Sequence, residues 1–443
     1  MKHRTYLALV FPLLLSSLTT PLLGATDTAI AGRFSDASYI GGVAVGTLIF
    51  NTLYWLFGFL RVATSGFTAQ ADGSGEKNGL LLSLLRPLAI ALFMGVVFLL
   101  LQMPILAGTL ALIGAEPAVE ESTSAYFSIR IWGAPFVLAG YVILGWLMGV
   151  SEVRKTFILV LMSNSLNILL SIWFALGMDW GMKGLAAGTM LSEVVSAAVG
   201  AWMVKRKLAI TLSDMQSVAR NSFIEKNALM KMFKVNRDLF IRTACLLLAF
   251  QLFTISGAAF GTNVLAANAV LMQVQFLMVY VYDGFANGSS ILAGRAIGRK
   301  DVEQFKLVTR MTKQWSFFAP CMIVLVFLFA DFWIWPVFTN LKEVLTLIDE
   351  HSFWLAIVAF AASFGVVGYG IFTGATEVSY VRNSMVLAAI FYVMAIYPLT
   401  HFFGNHGLWA SFILFCLCRS FFLWLYVPDL LEKIQTNIQQ AAR

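Results

Sequence analysis

The sequence predicts an all-α integral membrane protein: twelve transmembrane helices in two six-helix lobes related by a pseudo-two-fold axis along the membrane normal. Three observations carry this. An apolar fraction of 59%, a charged fraction of 12% and a mean hydropathy of +0.82 lie far from a soluble chain, in which about 25% of residues are charged. Apolar runs of about twenty residues, long enough to cross a bilayer as helices, recur along the whole length and do not alternate as barrel strands would. The chain also resembles itself at an offset of 225 residues.

The spans are expected at 6–32, 40–68, 82–106, 124–149, 155–178, 183–204, 236–259, 264–294, 314–338, 351–374, 380–403 and 406–427. Lys2, His3 and Arg4 followed by a leucine-rich stretch have the composition of a signal peptide. That segment has its own place in the internal repeat, so it is read as the first helix. Most Lys and Arg fall in the termini and in the even-numbered connections, mainly Lys205 to Arg237 and Arg295 to Lys313. The positive-inside rule then makes both termini cytoplasmic and accounts for the formal charge of +7 without nucleic acid. Cys245, Cys321, Cys416 and Cys418 lie in apolar spans with neither metal nor disulfide spacing, and read as small buried hydrophobes.

The repeat superimposes Gly149-Val-Ser-Glu152-Val153 on Gly374-Ala-Thr-Glu377-Val378 and Ala44-Val45 on Ala269-Val270. It also brings Ala71-Asp72-Gly73 over Ala296-Ile297-Gly298. With a two-residue slip, Gly181-Met-Lys-Gly184-Leu185 lies over Gly404-Asn-His-Gly407-Leu408. Four matches in order indicate duplication. Six helices per half is an even number, so both halves cross the membrane in the same sense, as in transporters with parallel repeats. The expected organisation is an N-terminal lobe at 1–204, a linker at 205–235, a C-terminal lobe at 236–427 and a cytoplasmic tail at 428–443.

A carboxylate in hydrocarbon costs about 2.5–3.5 kcal/mol on insertion scales, so each one needs a partner or a purpose. Asp27 shares a helix face with Gly24, Thr20 and Ser16 or Ser17, a small polar stripe that must look inward. The fifth span offers Asn164, Asn167 and Ser171 on one face, and the sixth offers Thr189, Glu193 and Ser196. Asp27, Ser171 and Thr189 lie at similar depth with Asn167 one turn deeper, so they are expected to cluster inside the first lobe. Glu193 is expected to be neutral or bonded to a donor such as Asn164. Pro12 and Pro21 weaken the first helix and allow it to bend. The second half differs: its eighth span is polar, but the seventh and tenth are read as free of carboxylates.

At Leu23-Gly-Ala-Thr-Asp27-Thr-Ala, Phe57-Gly-Phe-Leu-Arg61-Val-Ala-Thr-Ser-Gly66-Phe-Thr-Ala-Gln70-Ala, Asp283-Gly-Phe-Ala-Asn-Gly and Gly294-Arg-Ala-Ile-Gly298 the sequence resembles the DinF branch of the multidrug and toxin extrusion (MATE) family. The resemblance covers nearly the whole chain. It implies two six-helix lobes around a central cavity and export of cationic amphipathic small molecules from a bacterial inner membrane, by rocker-switch antiport. It further implies that Asp27 is the protonated coupling residue, Pro12 the hinge of the first helix, and Asn167 and Thr189 its hydrogen-bonding neighbours. Ser171 departs from the family pattern, since some members carry a second aspartate there, and the acids that the sodium-coupled branch uses in helices seven and ten are absent. Proton coupling is therefore expected, with Glu193 in a secondary part and sodium as the alternative coupling ion.

Arg61, Arg242 and Arg419 are read as the in-span arginines, snorkelling near cytoplasmic ends. Arg61 and Asp283 are a candidate cytoplasmic gate. A flippase of lipid-linked precursors, which needs a cationic cavity, is the runner-up. No enzyme activity, cofactor or metal site is expected, because no metal-ligand cluster is evident and His3, His351, His401 and His406 read as near water. The expected partners are the transported cations and membrane lipid, and the expected state is a monomer.

Overall fold

A computed structural model describes residues 3–31, 33, 37–114, 116–208, 223–339 and 341–440. The side chains of 20–25, 28–29, 31, 37, 40 and 330–333 lie outside the described set. The elements are helical: α1 His3–Ala31, α2 Ala37–Phe57, α3 Phe59–Ser74, α4 Lys77–Leu100, α5 Gln102–Ile113, α6 Pro117–Arg130, α7 Ala134–Gly149, α8 Val153–Ile172 and α9 Gly181–Leu208. They continue with α10 Lys226–Ala258, α11 Thr262–Gly298, α12 Val302–Phe338, α13 Lys342–His351, α14 Phe353–Gly374, α15 Ser379–Leu425 and α16 Val427–Gln440. Among the described residues ten helical stretches are long and apolar enough to cross a membrane. One of them, Ser379–Gln440, turns at Gly404, whose φ of 57° and ψ of −135° leave the helical region and suit a residue without Cβ. It thus supplies two spans, and α1 completes the expected twelve.

Helical contacts group the chain into two compact units: Leu15–Met232, and Met1–Leu14 together with Phe233–Arg443. The first helix is therefore divided, where the sequence suggested that all of 1–204 forms one lobe. Its opening turns join the later half through specific contacts. The Tyr6 hydroxyl bonds to the Phe285 carbonyl at 3.2 Å and to Ser289 Oγ at 2.8 Å, and its ring stacks on Trp315 with 15° between planes. The expected linker is shortened by helix from both sides, as α9 runs to Leu208 and α10 starts at Lys226, and 209–222 lie outside the described residues.

Within Leu15–Met232, α3 packs on α7, α8 on α9 and α2 on α6; within the other unit α11 and α12 pack on α14, and α14 on α15. Two expectations for the second half are corrected here. The seventh span does hold a carboxylate: Asp238 on α10, 1% exposed, accepts from Arg237 and, at 2.8 Å, from Arg382 on α15. The first turns of that span thus carry a clamped acid, paired with two guanidinium groups as a buried charge must be. The second correction is His351, which is only 4% exposed. It is stacked on His406 with ring centroids 4.3 Å apart and 18° between planes, and its Nδ1 is bonded to the Leu347 carbonyl. His406 Nδ1 accepts from Trp354 Nε1 at 3.1 Å, and its Nε2 lies 3.4 Å from Glu350. Although ligand-capable atoms of Glu350, His351 and His406 lie within 4.8 Å of one another, near-parallel rings send their lone pairs side by side rather than toward one ion. The cluster braces α13, α14 and α15, and burial pushes the His351 imidazole below its ordinary pKa.

Candidate functional site

The unit Leu15–Met232 lines a partly open cavity of about 190 Å³. Its wall combines Asp27 from α1, Asn167 from α8, and Thr189, Glu193 and Ser196 from α9, as their helical spacing implied. Asp27 and Asn167 are 5% and 4% exposed. Ser171 is fully buried, yet it is outside the lining, because α9 comes against its backbone at Gly188. The side chains of Thr20, Pro21 and Gly24 lie outside the described residues. Pro12 falls on α1 within the segment grouped with the later half. Arg61 on α3 and Asp283 on α11 belong to different units, each of which is described by itself.

Arg130, at the last turn of α6, also lines the cavity. Sequence reasoning overlooked it although it lies inside the expected fourth span, and it corrects the reading of Arg61, Arg242 and Arg419 as the in-span arginines. The signal was present: an arginine well inside an apolar run is costly unless acids meet it. Its Nη1 donates to the Tyr126 hydroxyl at 2.6 Å, and its guanidinium lies 4.7 Å over the Phe50 ring. Both Asp27 and Glu193 interact electrostatically with it and with each other. Glu193 finds room because Gly133 stands beside its carboxylate, where any Cβ would collide.

Asn164 does not serve Glu193 as expected; it donates to Thr19 Oγ1 at 2.9 Å, tying α8 to α1. Thr189 and Ser192 turn their hydroxyls to backbone carbonyls of their own helix. Several buried atoms are left without a hydrogen-bond partner among the described residues: Asp27 Oδ1, Asn167 Oδ1, Glu193 Oε2 and Arg130 Nε. Buried polar atoms in this condition call for a bound partner. Two carboxyl groups face one guanidinium, so the site carries one net negative charge when both acids are ionised and none when one proton is bound. It can take a proton or a cation in the same place.

A duplicated helical membrane scaffold with a charged cavity in its first half fits a solute transporter. Comparison gives the family. The MatE family model matches residues 12–173 and again 239–400, one copy per half. DNA damage-inducible protein F of Escherichia coli (strain K12) is 34% identical over 93% of this chain and 89% of that one. Multidrug resistance protein MdtK of Photorhabdus laumondii is 23% identical, covering 93% of this chain and 92% of that one. Among solved structures, that of MATE in the bent conformation superimposes with a TM-score of 0.88 at 18% identity, over 98% of this chain and 96% of that one. A MOP superfamily transporter from Pyrococcus furiosus gives 0.86 at 18% identity, over 97% and 96%. The chain belongs to the MatE family, in its DinF branch. It is an integral membrane transporter and not an enzyme.

Proposed function

We propose that the protein is a proton-coupled exporter of amphipathic organic cations in the bacterial inner membrane, with both termini cytoplasmic. One observation carries the reading. Asp27, Glu193 and Arg130 share a cavity whose charge changes by one unit on binding a single proton. With both acids ionised, the cavity holds a cation; protonation from the outside removes the net negative charge and favours release. Return of the empty, protonated lobe to the cytoplasmic side delivers the proton inward. The names of the curated relatives, among them multidrug resistance proteins MdtK and NorM, support small organic substrates. The basic flanks of the even-numbered connections support the orientation.

Sodium is the alternative coupling ion, since a hard cation prefers clustered anionic oxygens; Ser171, where some family members carry a further aspartate, adds none. The lipid-linked precursor flippase is disfavoured by the two acids in this cavity. The test is export of a fluorescent cationic dye from proteoliposomes under imposed gradients. Export driven by a pH gradient at equal sodium supports the reading. Export driven by sodium alone at equal pH rejects it.

A further inference from the structure

The equivalent place in the second half has the opposite charge. At the 225-residue offset, Gly140 and Leu144 of the first cavity correspond to Gly365 and Tyr369 on α14. At the 223-residue offset that matches Gly181 with Gly404, Glu193 and Ser196 correspond to Cys416 and Arg419 on α15. An acid is thus replaced by a thiol, and a hydroxyl by a guanidinium.

The geometry brings a second arginine to the same spot. A Cβ on Gly365 would stand 3.2 Å from Arg419 Cγ and 3.3 Å from its Nε, so Arg419 lies flat against that turn of α14. One turn later the Arg242 guanidinium of α10 sits 4.8 Å over the Tyr369 ring. Both cations therefore occupy one face of α14, and they act on each other electrostatically. Arg419 is 7% exposed. Arg242 Nε is buried without a partner. Asp283 is the carboxylate that Arg419 feels, and it has a further interaction of its own. One carboxylate against two guanidinium groups leaves the face positive. Like charges held together in a low dielectric are costly, and guanidinium forks fit carboxylate, sulfonate or phosphate oxygens in pairs.

We propose that Arg242 and Arg419, on the α14 face formed by Gly365 and Tyr369, bind the anionic group of an amphipathic ligand, whether a free organic acid or a phospholipid headgroup. The site goes beyond the proton-coupling cavity, shares no residue with it and is tested without transport. Purified protein in a neutral detergent is titrated with the fluorescent amphipathic acid dansyl-aminoundecanoate and with its uncharged methyl ester. The acid binds saturably and the ester about tenfold or more weaker; Arg419→Gln and Arg242→Gln each lose about tenfold in acid affinity, as expected for a charged hydrogen-bonded contact. Competition by phosphatidylglycerol, with none by phosphatidylcholine, assigns the site to a lipid headgroup; absence of competition assigns it to free acids. Arg419→Lys, which keeps the charge and loses the fork, retains intermediate affinity and guards against a folding defect, with gel filtration as the check. Equal binding of acid and ester, no saturable binding of either, or unchanged affinity in folded variants would overturn the proposal.

Discussion

The two halves share their turns and differ in their cavities. Six residues with positive φ fall in three matched places: Gly75 and Lys300, Ser151 and Thr376, Gly181 and Gly404. The same turns are tied in the same way. Glu152 pairs with Lys207 at 2.6 Å in the first half, and Glu377 with Lys433 at 2.7 Å in the second. Inside the lobes the likeness ends, with acids around Arg130 in one and arginines around Tyr369 in the other. Duplication preserved what the backbone needs, a small set of unusual dihedrals and caps. The buried side chains have diverged.

The largest expected effect breaks the asymmetry at its centre. Asp27→Asn fits the site but cannot change charge, so it should reduce proton-coupled dye export to background while leaving the protein folded. Wild-type drug resistance in cells with matched expression would show that coupling lies elsewhere. Next comes Arg130→Gln, which leaves buried Asp27 and half-buried Glu193 without their cation and should destabilise the protein by up to about 3 kcal/mol. Thermal unfolding checks this, and adding Glu193→Gln should restore part of the loss because the pair then balances again. Equal stability of the single and double variants would separate Glu193 from Arg130.

Much of this was legible from residue spacing. Asp27, Asn167, Thr189 and Glu193 meet in one cavity because helical periodicity puts each on an inward polar face. Arg130 was missed although it lies within the expected fourth span, because spacing along one helix does not show that acids from α1 and α9 come to meet it. Asn164 was matched to the wrong residue because spacing gives faces but not the rotation that decides between Thr19 and Glu193. The division of α1 was hidden for a similar reason: Tyr6 looks like an ordinary interfacial aromatic until Ser289 and Trp315 are brought beside it. His351 read as a wet histidine because its neighbours are charged, but α13 folds it inward against His406.

A smaller effect concerns the brace in the second half, which has no counterpart among the described residues of the first. His351 is held below its ordinary value of 6.5, first by burial. The folded state therefore favours the neutral ring: its stability is unaffected above that pH and falls as the pH drops below it, until the lowered folded value is passed. His351→Gln should remove this acid sensitivity from the melting temperature between pH 7 and pH 5, and an unchanged slope would assign the sensitivity to other groups. Smallest of all are the matched surface pairs. Glu152→Gln and Glu377→Gln should each cost about 0.2–1 kcal/mol, the usual range for exposed pairs, and by similar amounts. The Lys207 hydrogen bond keeps Glu152 below the ordinary carboxylate range, so its share is present near neutrality and lost as the pH falls past that range. A difference of more than about 1 kcal/mol between the two variants would mean that the repeat is less symmetric at its turns than the distances imply.

The central claim is that a proton and an organic cation compete for the first cavity. Proton release on binding measures it most directly: purified protein in weak buffer, titrated with a cationic dye while the pH is followed. The account predicts about one proton released per cation bound near neutral pH, and none from Asp27→Asn. Saturable dye binding by the wild-type protein without proton release would contradict it.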